Sequence, residues 1–175
     1  DNLMFSKRLD WDAPANPISL ALARHRAQGG ELIDLTESNP TRCGFDYPAA
    51  ILDALSARES LHYEPDSRGL ARAREAVAQY AGVNVERVLL TASTSEAYSY
   101  LFKLLCNPGD EVLVPRPSYP LFEFLAKLDG VRVTAYPLFY DHGWHIDTGR
   151  LRDLITPATR AIVTVNPNNP TGSYL

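Results

Sequence analysis

Three polar loops carry the side chains of this sequence that are best suited to chemistry. They are "TASTSEA" (residues 91–97), "RPSYP" (116–120) and "NPNNPTG" (166–172), and each follows a short apolar run that is typical of a buried strand. In parallel α/β sheets, ligands bind beyond the carboxyl ends of the strands. If the three runs belong to such a sheet, the loops lie along one edge of it, and together they predict a single binding site.

The first loop offers hydroxyls and backbone N–H groups at the start of a predicted helix. Ser93 and Glu96 have the spacing of a capping box, and capping alone is enough to explain both residues. Thr94 and Ser95 add two hydroxyls at the positive end of the helix dipole, where a phosphate can bind. The loop has no glycine, so it is neither a Walker loop nor a dinucleotide-binding fingerprint. Capping and phosphate binding both stay open as interpretations.

The other two loops offer an aromatic ring and an amide. Tyr119 lies between two prolines, and it is either a core tyrosine or a rigidly held face on which a planar ligand stacks. The third loop is either a tight surface turn or a stiff support for Asn169, with a cis bond allowed at Asn169–Pro170. An amide held in one orientation can donate to a phenolate-like oxygen. A phosphate cradle, an aromatic face and an oriented amide predict a pocket for a phosphorylated planar heterocycle.

Composition excludes several other classes of function. The 175 residues are 45% hydrophobic and 22% charged, as in soluble globular chains with a sizeable core. The net charge of −4 argues against nucleic acid as a partner. No apolar run is long enough to span a membrane, and the first residues lack the apolar core of a signal peptide. Cys43 and Cys106 fit no metal-binding spacing, so we expect no metal and interpret both as reduced thiols of a cytoplasmic protein.

Alternating strands and helices must position the loops. The hydrophobic pattern predicts helices over residues 17–28, 49–57, 70–80, 95–105, 121–128 and 151–155. It predicts strands over residues 32–36, 88–91, 111–115, 131–137 and 161–165. The alternation from residue 88 onward predicts an α/β fold with a mostly parallel sheet flanked by helices. Residues 1–15, with Phe5, Leu9 and Trp11, are interpreted as an extended arm that a partner subunit covers.

A resemblance to a known family covers residues 32–175. "NPNNPTG", preceded by "NPGDEVLVPRPSYP" and "LTASTSEA", closely resembles class I/II aminotransferases, which are fold type I pyridoxal-phosphate (PLP) enzymes. The resemblance implies that Ser93, Thr94 and Ser95 form the phosphate-binding turn, although glycine is common in the family at the first two positions. It also implies that Tyr119 stacks on the pyridine ring and that Asn169 hydrogen-bonds the ring's phenolic oxygen.

The resemblance extends to partners, substrates and domains. Tyr63, in "HYEPDSRGLARAREAV", would reach the cofactor phosphate of a neighbouring subunit, which implies a homodimer. "LTESNPT" matches the segment near the substrate carboxylate, with Ser38 where glycine is usual, followed by Asn39. The substrates implied are an amino acid and a 2-oxo acid. Residues 1–40 are expected to be an arm and a small-domain segment, and residues 41–175 the front part of the PLP-binding large domain.

In this family the Schiff-base lysine, the aspartate on the pyridine nitrogen and the arginine for the substrate carboxylate all follow "NPTG". The lysines of this sequence are Lys7, Lys103 and Lys127, and none lies in a matching motif. Lys103 and Lys127 fall in predicted helices, where solvated or snorkelling side chains are ordinary. We therefore expect the front portion of an aminotransferase, inactive by itself because its catalytic lysine lies beyond Leu175.

Other interpretations stay open. A PLP-dependent lyase or decarboxylase of the same fold would use the same cofactor-binding groups. A catalytically inactive binding or assembly module would need no lysine. A nucleotide-binding α/β domain is disfavoured, because no glycine fingerprint follows any predicted strand.

The resemblance also implies a strand order for the sheet. In the family the first strand of the large sheet does not lie beside the second, so we expect residues 88–91 to lie apart from the other three strands of the large domain. Residues 88–91 and the outer edge of residues 161–165 should then expose unpaired backbone groups and apolar side chains.

Overall fold

The computed structural model describes Arg8 and residues 15–174. Residues 15–73 and residues 74–174 fall into two compact units. The predicted arm residues Phe5, Leu9 and Trp11 lie outside the described part of the chain. The division after residue 40 stays a prediction. Among the described residues, no helix is both long and apolar enough to cross a lipid bilayer.

The unit of residues 15–73 contains short helices joined by irregular chain. Helix α1 (Pro17–Ala27) begins as expected, because the Asn16 side chain accepts a hydrogen bond from the Ile18 N–H at 2.9 Å. Helix α2 (Ile51–Leu55) is shorter than the predicted helix of residues 49–57 and is followed by a 3₁₀ helix, Arg58–Leu61. Gly29 follows α1 with φ +74°, a conformation that glycine tolerates without strain.

The strand predicted over residues 32–36 is wrong, since this segment forms no regular secondary structure. Its backbone is instead engaged by a neighbouring side chain, since the Asp34 carboxylate accepts from the Thr36 N–H at 2.8 Å. Just after the segment, the Glu37 carboxylate accepts from the Asn39 N–H at 2.9 Å. Such local side-chain bonds compete with strand pairing.

The unit of residues 74–174 is built on one four-stranded sheet. Helix α3 (Ala71–Ala81) leads into it, followed by a short 3₁₀ helix (Val85–Arg87) and by helix α4 (Thr94–Leu105). The remaining elements are β1 (Glu111–Arg116), α5 (Phe122–Leu128), β2 (Arg132–Tyr140), β3 (Trp144–Ile146), α6 (Thr148–Asp153) and β4 (Thr159–Ile162). The strand order is β3-β2-β1-β4, with β1 parallel to both β2 and β4 and β2 antiparallel to β3. The predicted α/β class with a mostly parallel sheet is confirmed.

The core lies around the central strand β1, whose first five residues are all buried. Strands that are covered on both faces read as continuous apolar runs, and "VLVP" is such a run. One buried cluster joins β1 to α4 and α5: Phe102, Val112, Val114, Phe122, Ala126 and Val131. Burying a side chain as large as valine or phenylalanine contributes about 1.5–3 kcal/mol. The cluster therefore holds α4 and α5 firmly against the strand from which the "RPSYP" loop emerges.

Two strand predictions need correction, and one hairpin was not predicted. Residues 88–91 form no strand, although they do lie outside the sheet as expected, with Leu89 half exposed. Strand β4 ends at Ile162 rather than at residue 165, and it occupies a sheet edge, as the family's strand order implied. The hairpin that β2 makes with β3 was not predicted; it turns through His142, at φ +51°. A strand requires a neighbouring strand, and none of the described residues supplies one beside residues 88–91.

Candidate functional site

The "RPSYP" and "NPNNPTG" loops contact each other where β1 and the segment after β4 end. The side chain of Asn168 is buried, and its Nδ2 donates to the Pro117 carbonyl at 3.2 Å. The Ser118 hydroxyl lies 3.5 Å from Asn168 Oδ1. The bond that the sequence allowed to be cis, Asn169–Pro170, is cis, and so are Arg116–Pro117 and Asn166–Pro167. Two of the three loops are thus in contact, as we expected for loops that follow strands of one parallel sheet.

Tyr119 packs toward helix α4 through one intermediate ring. Its ring meets Phe122 edge-on at a centroid distance of 5.8 Å, and Phe122 meets Tyr98 of α4 edge-on at 4.9 Å. Burial raises the pKa of the Tyr98 phenol, and the nearby phenol of Tyr119 raises this pKa further. Tyr119 itself is only partly buried. It therefore packs against the core and still leaves part of its ring accessible, and stacking on a planar ligand stays a prediction.

Helix α4 begins with the capping arrangement that its sequence predicts. Ser93 Oγ accepts from the Glu96 N–H at 3.2 Å, and Glu96 Oε2 accepts from the Ala92 N–H at 2.6 Å. The Ala92 N–H is the main reason why the pKa of Glu96 lies below its ordinary value, and the Tyr100 hydroxyl, which donates to Glu96 Oε1 at 2.8 Å, lowers it further. Capping is confirmed, and it uses only part of the hydrogen-bonding capacity of this turn.

Thr94 and Ser95 supply the remaining donors at this helix end. Within the described residues, neither their hydroxyls nor their N–H groups donate to a protein acceptor. Ser95 is partly buried and Thr94 is exposed. The first N–H groups of a helix have no partner inside it and carry the positive end of its dipole. An anion is the ligand that these donors fit.

Asn169 is exposed, and its side-chain amide has no hydrogen-bond partner in the part of the chain that the structure describes. The loop around it is closed by its neighbour: the Asn168 N–H donates to the Ser173 carbonyl at 2.8 Å, and the Gly172 N–H donates to the Asn168 carbonyl at 2.7 Å. The Asn169 amide is therefore carried on a closed loop and is open to a ligand.

The other predicted residues lie in the unit of residues 15–73. Ser38 is exposed. Asn39 Oδ1 accepts from the N–H of Thr41 at 3.1 Å and from its hydroxyl at 2.7 Å. The side chain of Tyr63 is almost fully exposed, at 92%.

The sequence did not single out Asn168, although two consecutive asparagines between prolines were visible. Only burial separates their roles, because one amide is inside the protein and the other outside. Lys103, interpreted as a solvated or snorkelling lysine, is exposed, and its ammonium also pairs with the buried carboxylate of Asp129 at 2.6 Å and donates to Ser99 Oγ at 2.5 Å. Lys103 thus serves to tie α4 to the end of α5.

The hydrogen-bond donors and the aromatic ring of these loops match the groups of a phosphorylated planar heterocycle. The start of α4 offers unused hydroxyls and N–H groups for a phosphate, Tyr119 offers a partly open ring, and Asn169 offers an amide donor. Asn168 connects the second and third loops. The ring of Tyr98, in the helix that follows the first loop, packs on Phe122, which in turn packs on Tyr119 of the second loop.

Comparison with known proteins yields a consistent set of relatives. The family profile described as "Aminotransferase class I and II" matches residues 31–175. The chain is 35% identical over 164 residues to the glutamate-pyruvate aminotransferase AlaA of Haemophilus influenzae, a match covering 90% of this chain and 41% of that protein. It is 35% identical over 152 residues to mouse tyrosine aminotransferase, covering 81% of this chain and 33% of that protein.

Among solved structures, the alanine aminotransferase of Pyrococcus furiosus superposes with a TM-score of 0.80 at 31% identity. The match covers 97% of this chain and 46% of that one. The chain therefore spans less than half the length of each of these three proteins.

Proposed function

Because the chain belongs to the class I and II aminotransferases, we propose that it supplies the front part of a site that binds pyridoxal 5'-phosphate. The proposed reaction moves an amino group between an amino acid and a 2-oxo acid. The observation that carries the proposal is the contact between the "RPSYP" and "NPNNPTG" loops, which carry the partly open ring of Tyr119 and the exposed amide of Asn169. The unused donors at the start of α4, in the same unit, match the phosphate of this cofactor.

Each residue of the proposed site has a role that follows from its side chain. The hydroxyls of Ser93, Thr94 and Ser95, with the free N–H groups at the start of α4, would hold the phosphate. Ser93 can serve both purposes, because its oxygen accepts from Glu96 while its own proton stays available to a phosphate oxygen. Tyr119 would support the ring. When bound, the cofactor supplies an electron sink for bonds at the α-carbon of the amino acid.

Asn169 would act on the electronic state of the ring. Its amide would donate to the phenolic oxygen, a hydrogen bond that favours the ionised form of that oxygen. The amide competes with no protein partner among the described residues, so the donor is available without breaking an existing bond.

The remaining parts of the proposal concern substrates, assembly and compartment. Ser38 and Asn39 would lie near the substrate carboxylate, and the exposed Tyr63 would reach the cofactor phosphate of a second subunit in a homodimer. The names of the relatives differ in their amino acid, so the proposal extends to the amino acid and 2-oxo acid class and not to one pair. The unpaired thiols of Cys43 and Cys106 support a reducing compartment such as the cytoplasm.

The decisive experiment titrates PLP into the full natural protein and follows the absorbance of the bound cofactor at the short-wavelength end of the visible spectrum. We expect the Tyr119→Ala and Asn169→Ala variants to bind PLP about tenfold more weakly, which corresponds to about 1.4 kcal/mol. Tyr140→Ala, at the exposed end of β2, serves as the matched control and should bind as the unmodified protein does. Absence of PLP binding by the unmodified protein would refute the proposal.

Analysis of the reaction products of the same protein distinguishes amino-group transfer from the lyase or decarboxylase alternative. Transfer to a 2-oxo acid yields a new amino acid, whereas decarboxylation releases CO₂. Residues 1–175 expressed alone should show no transaminase activity, and borohydride should fix no PLP on Lys7, Lys103 or Lys127, because none of them lies in the motif of the catalytic lysine. Turnover by this segment together with a specific PLP–lysine adduct would contradict that expectation.

A further inference from the structure

We infer that Asn168 is a positioning residue of the proposed cofactor site: its buried amide sets the loop of Asn169 relative to the loop of Tyr119. The inference rests on the proposed function, which assigns the cofactor ring to those two residues. Asn168 is 6% exposed, and its side-chain bonds go to the two loops themselves. Its effect on a ligand would therefore be exerted through its neighbours.

The chemistry of the contacts requires an asparagine amide in one orientation. The Pro117 carbonyl can only accept a hydrogen bond, so the NH₂ group and not the oxygen must face it, at 3.2 Å. The second proton of the NH₂ group goes to Thr171 Oγ1 at 2.8 Å. Oδ1 is left to face the Ser118 hydroxyl, at 3.5 Å. One side chain thus uses both donors and its acceptor, and it does so across two loops.

The backbone of the same residue shapes the loop that presents Asn169. The N–H and the carbonyl of Asn168 bond to Ser173 and Gly172, at 2.8 and 2.7 Å. Strand β4 ends at Ile162, and just beyond it the Val163 N–H donates to the Leu113 carbonyl of β1 at 2.8 Å. The loop itself belongs to no strand, and the amide of Asn168 connects it to the Pro117 carbonyl just past the end of β1.

Removing the donor should therefore misplace both ligand-facing groups at once. Asn168→Asp keeps the shape but places a carboxylate oxygen against the Pro117 carbonyl, where the two oxygens repel each other. Asn168→Ala leaves that carbonyl and the Thr171 hydroxyl without their buried donor. Sites whose supporting contacts are lost become loose by fractions of an ångström, which is enough to weaken binding.

The experiment uses the full natural protein and two measurements. Amide hydrogen exchange without PLP should speed up in residues 116–120 and 166–173 together in both Asn168→Asp and Asn168→Ala, and stay unchanged in α4 and α5. PLP titration should show affinity lowered about tenfold. Thr171→Val, which removes one acceptor, should give the same pattern to a smaller extent and stays informative if the other variants do not fold. Asn107→Ala, at an exposed asparagine in a distant turn, is the matched control.

Three results would overturn the inference. They are PLP affinity within twofold of the unmodified protein in folded Asn168→Asp, faster exchange in only one of the two loops, and faster exchange throughout the unit, which would mean general destabilisation. If the unmodified protein binds no PLP, the proposed function fails and the positioning role fails with it. If PLP binds and Asn169→Ala weakens it while Asn168→Asp does not, only this inference fails.

Discussion

The buried carboxylate of Glu111 should make the stability of the sheet depend on pH. Glu111 is 7% exposed at the start of β1, where Oε2 accepts from the Thr134 hydroxyl of β2 at 2.5 Å. Oε1 accepts from Thr159 of β4 at 3.0 Å and from Thr156 at 3.4 Å. One carboxylate thus joins the three parallel strands. The bond from Thr134 is the largest cause that holds the pKa of Glu111 below its ordinary value, and burial opposes it.

We expect Thr134→Val to lower the free energy of unfolding by about 2 kcal/mol near pH 7. Valine has the shape of threonine without the hydroxyl, and a hydrogen bond to a charged group contributes about 1.5–3 kcal/mol. Because the folded pKa of Glu111 is depressed, its stabilisation is complete above the unfolded pKa and is lost as pH falls through the folded pKa. As pH falls from about 7 to about 3, the difference between the two proteins should therefore stay constant down to the ordinary glutamate pKa of about 4.3 and shrink only below it.

The assay is equilibrium urea unfolding at several pH values in that interval. Thr164→Val, at an exposed threonine after β4, is the matched control and should change stability by less than about 0.5 kcal/mol. A Thr134→Val effect that stays constant from neutral to acid pH would show that packing and not the ionised carboxylate is responsible, and it would refute the reasoning.

Three further outcomes follow from single contacts. Ser93→Ala should cost about 1 kcal/mol in urea unfolding, because the Glu96 N–H loses its cap, and should also weaken PLP binding; unchanged affinity would remove Ser93 from the site. Tyr136→Phe should cost about 1 kcal/mol, because the Val163 carbonyl loses a buried donor at 2.8 Å, and equal stability would mean that another group replaces it. The full natural protein should be a dimer by light scattering at micromolar concentration, and Tyr63→Ala should weaken its PLP binding; a monomer would contradict the role given to Tyr63.

Elements with strong local signals could be predicted from the sequence. Helix α4 was expected over residues 95–105 and begins one residue earlier, because Ser93 is a clear cap and the apolar stripe has helical spacing. Helix α5 and β2 are separated by the turn at Gly130, whose φ of +74° is one that glycine accepts easily. In these segments, the information that determines the structure lies within a few residues.

Elements that depend on distant partners could not be predicted. Residues 32–36 and 88–91 have strand-like composition, but a strand forms only beside another strand, and composition does not reveal the partner. The roles of Asn168 and Asn169 could not be separated for the same reason, since both lie in one loop of identical local chemistry. Only the position of Pro117, about fifty residues away in sequence, determines which amide is buried.

The two ends of β1 show how this unit can hold a site that lies outside its sheet. Between the ends the strand is apolar and buried, and side-chain packing together with backbone pairing to β2 and β4 positions it. At the amino end the Glu111 carboxylate joins three strands, and at the carboxyl end the Asn168 amide joins two loops. Buried polar groups specify geometry strongly because an unsatisfied one is costly, so each accepts few alternative arrangements. A substitution in the apolar middle should therefore lower stability first, whereas a substitution at Asn168 should lower ligand affinity first.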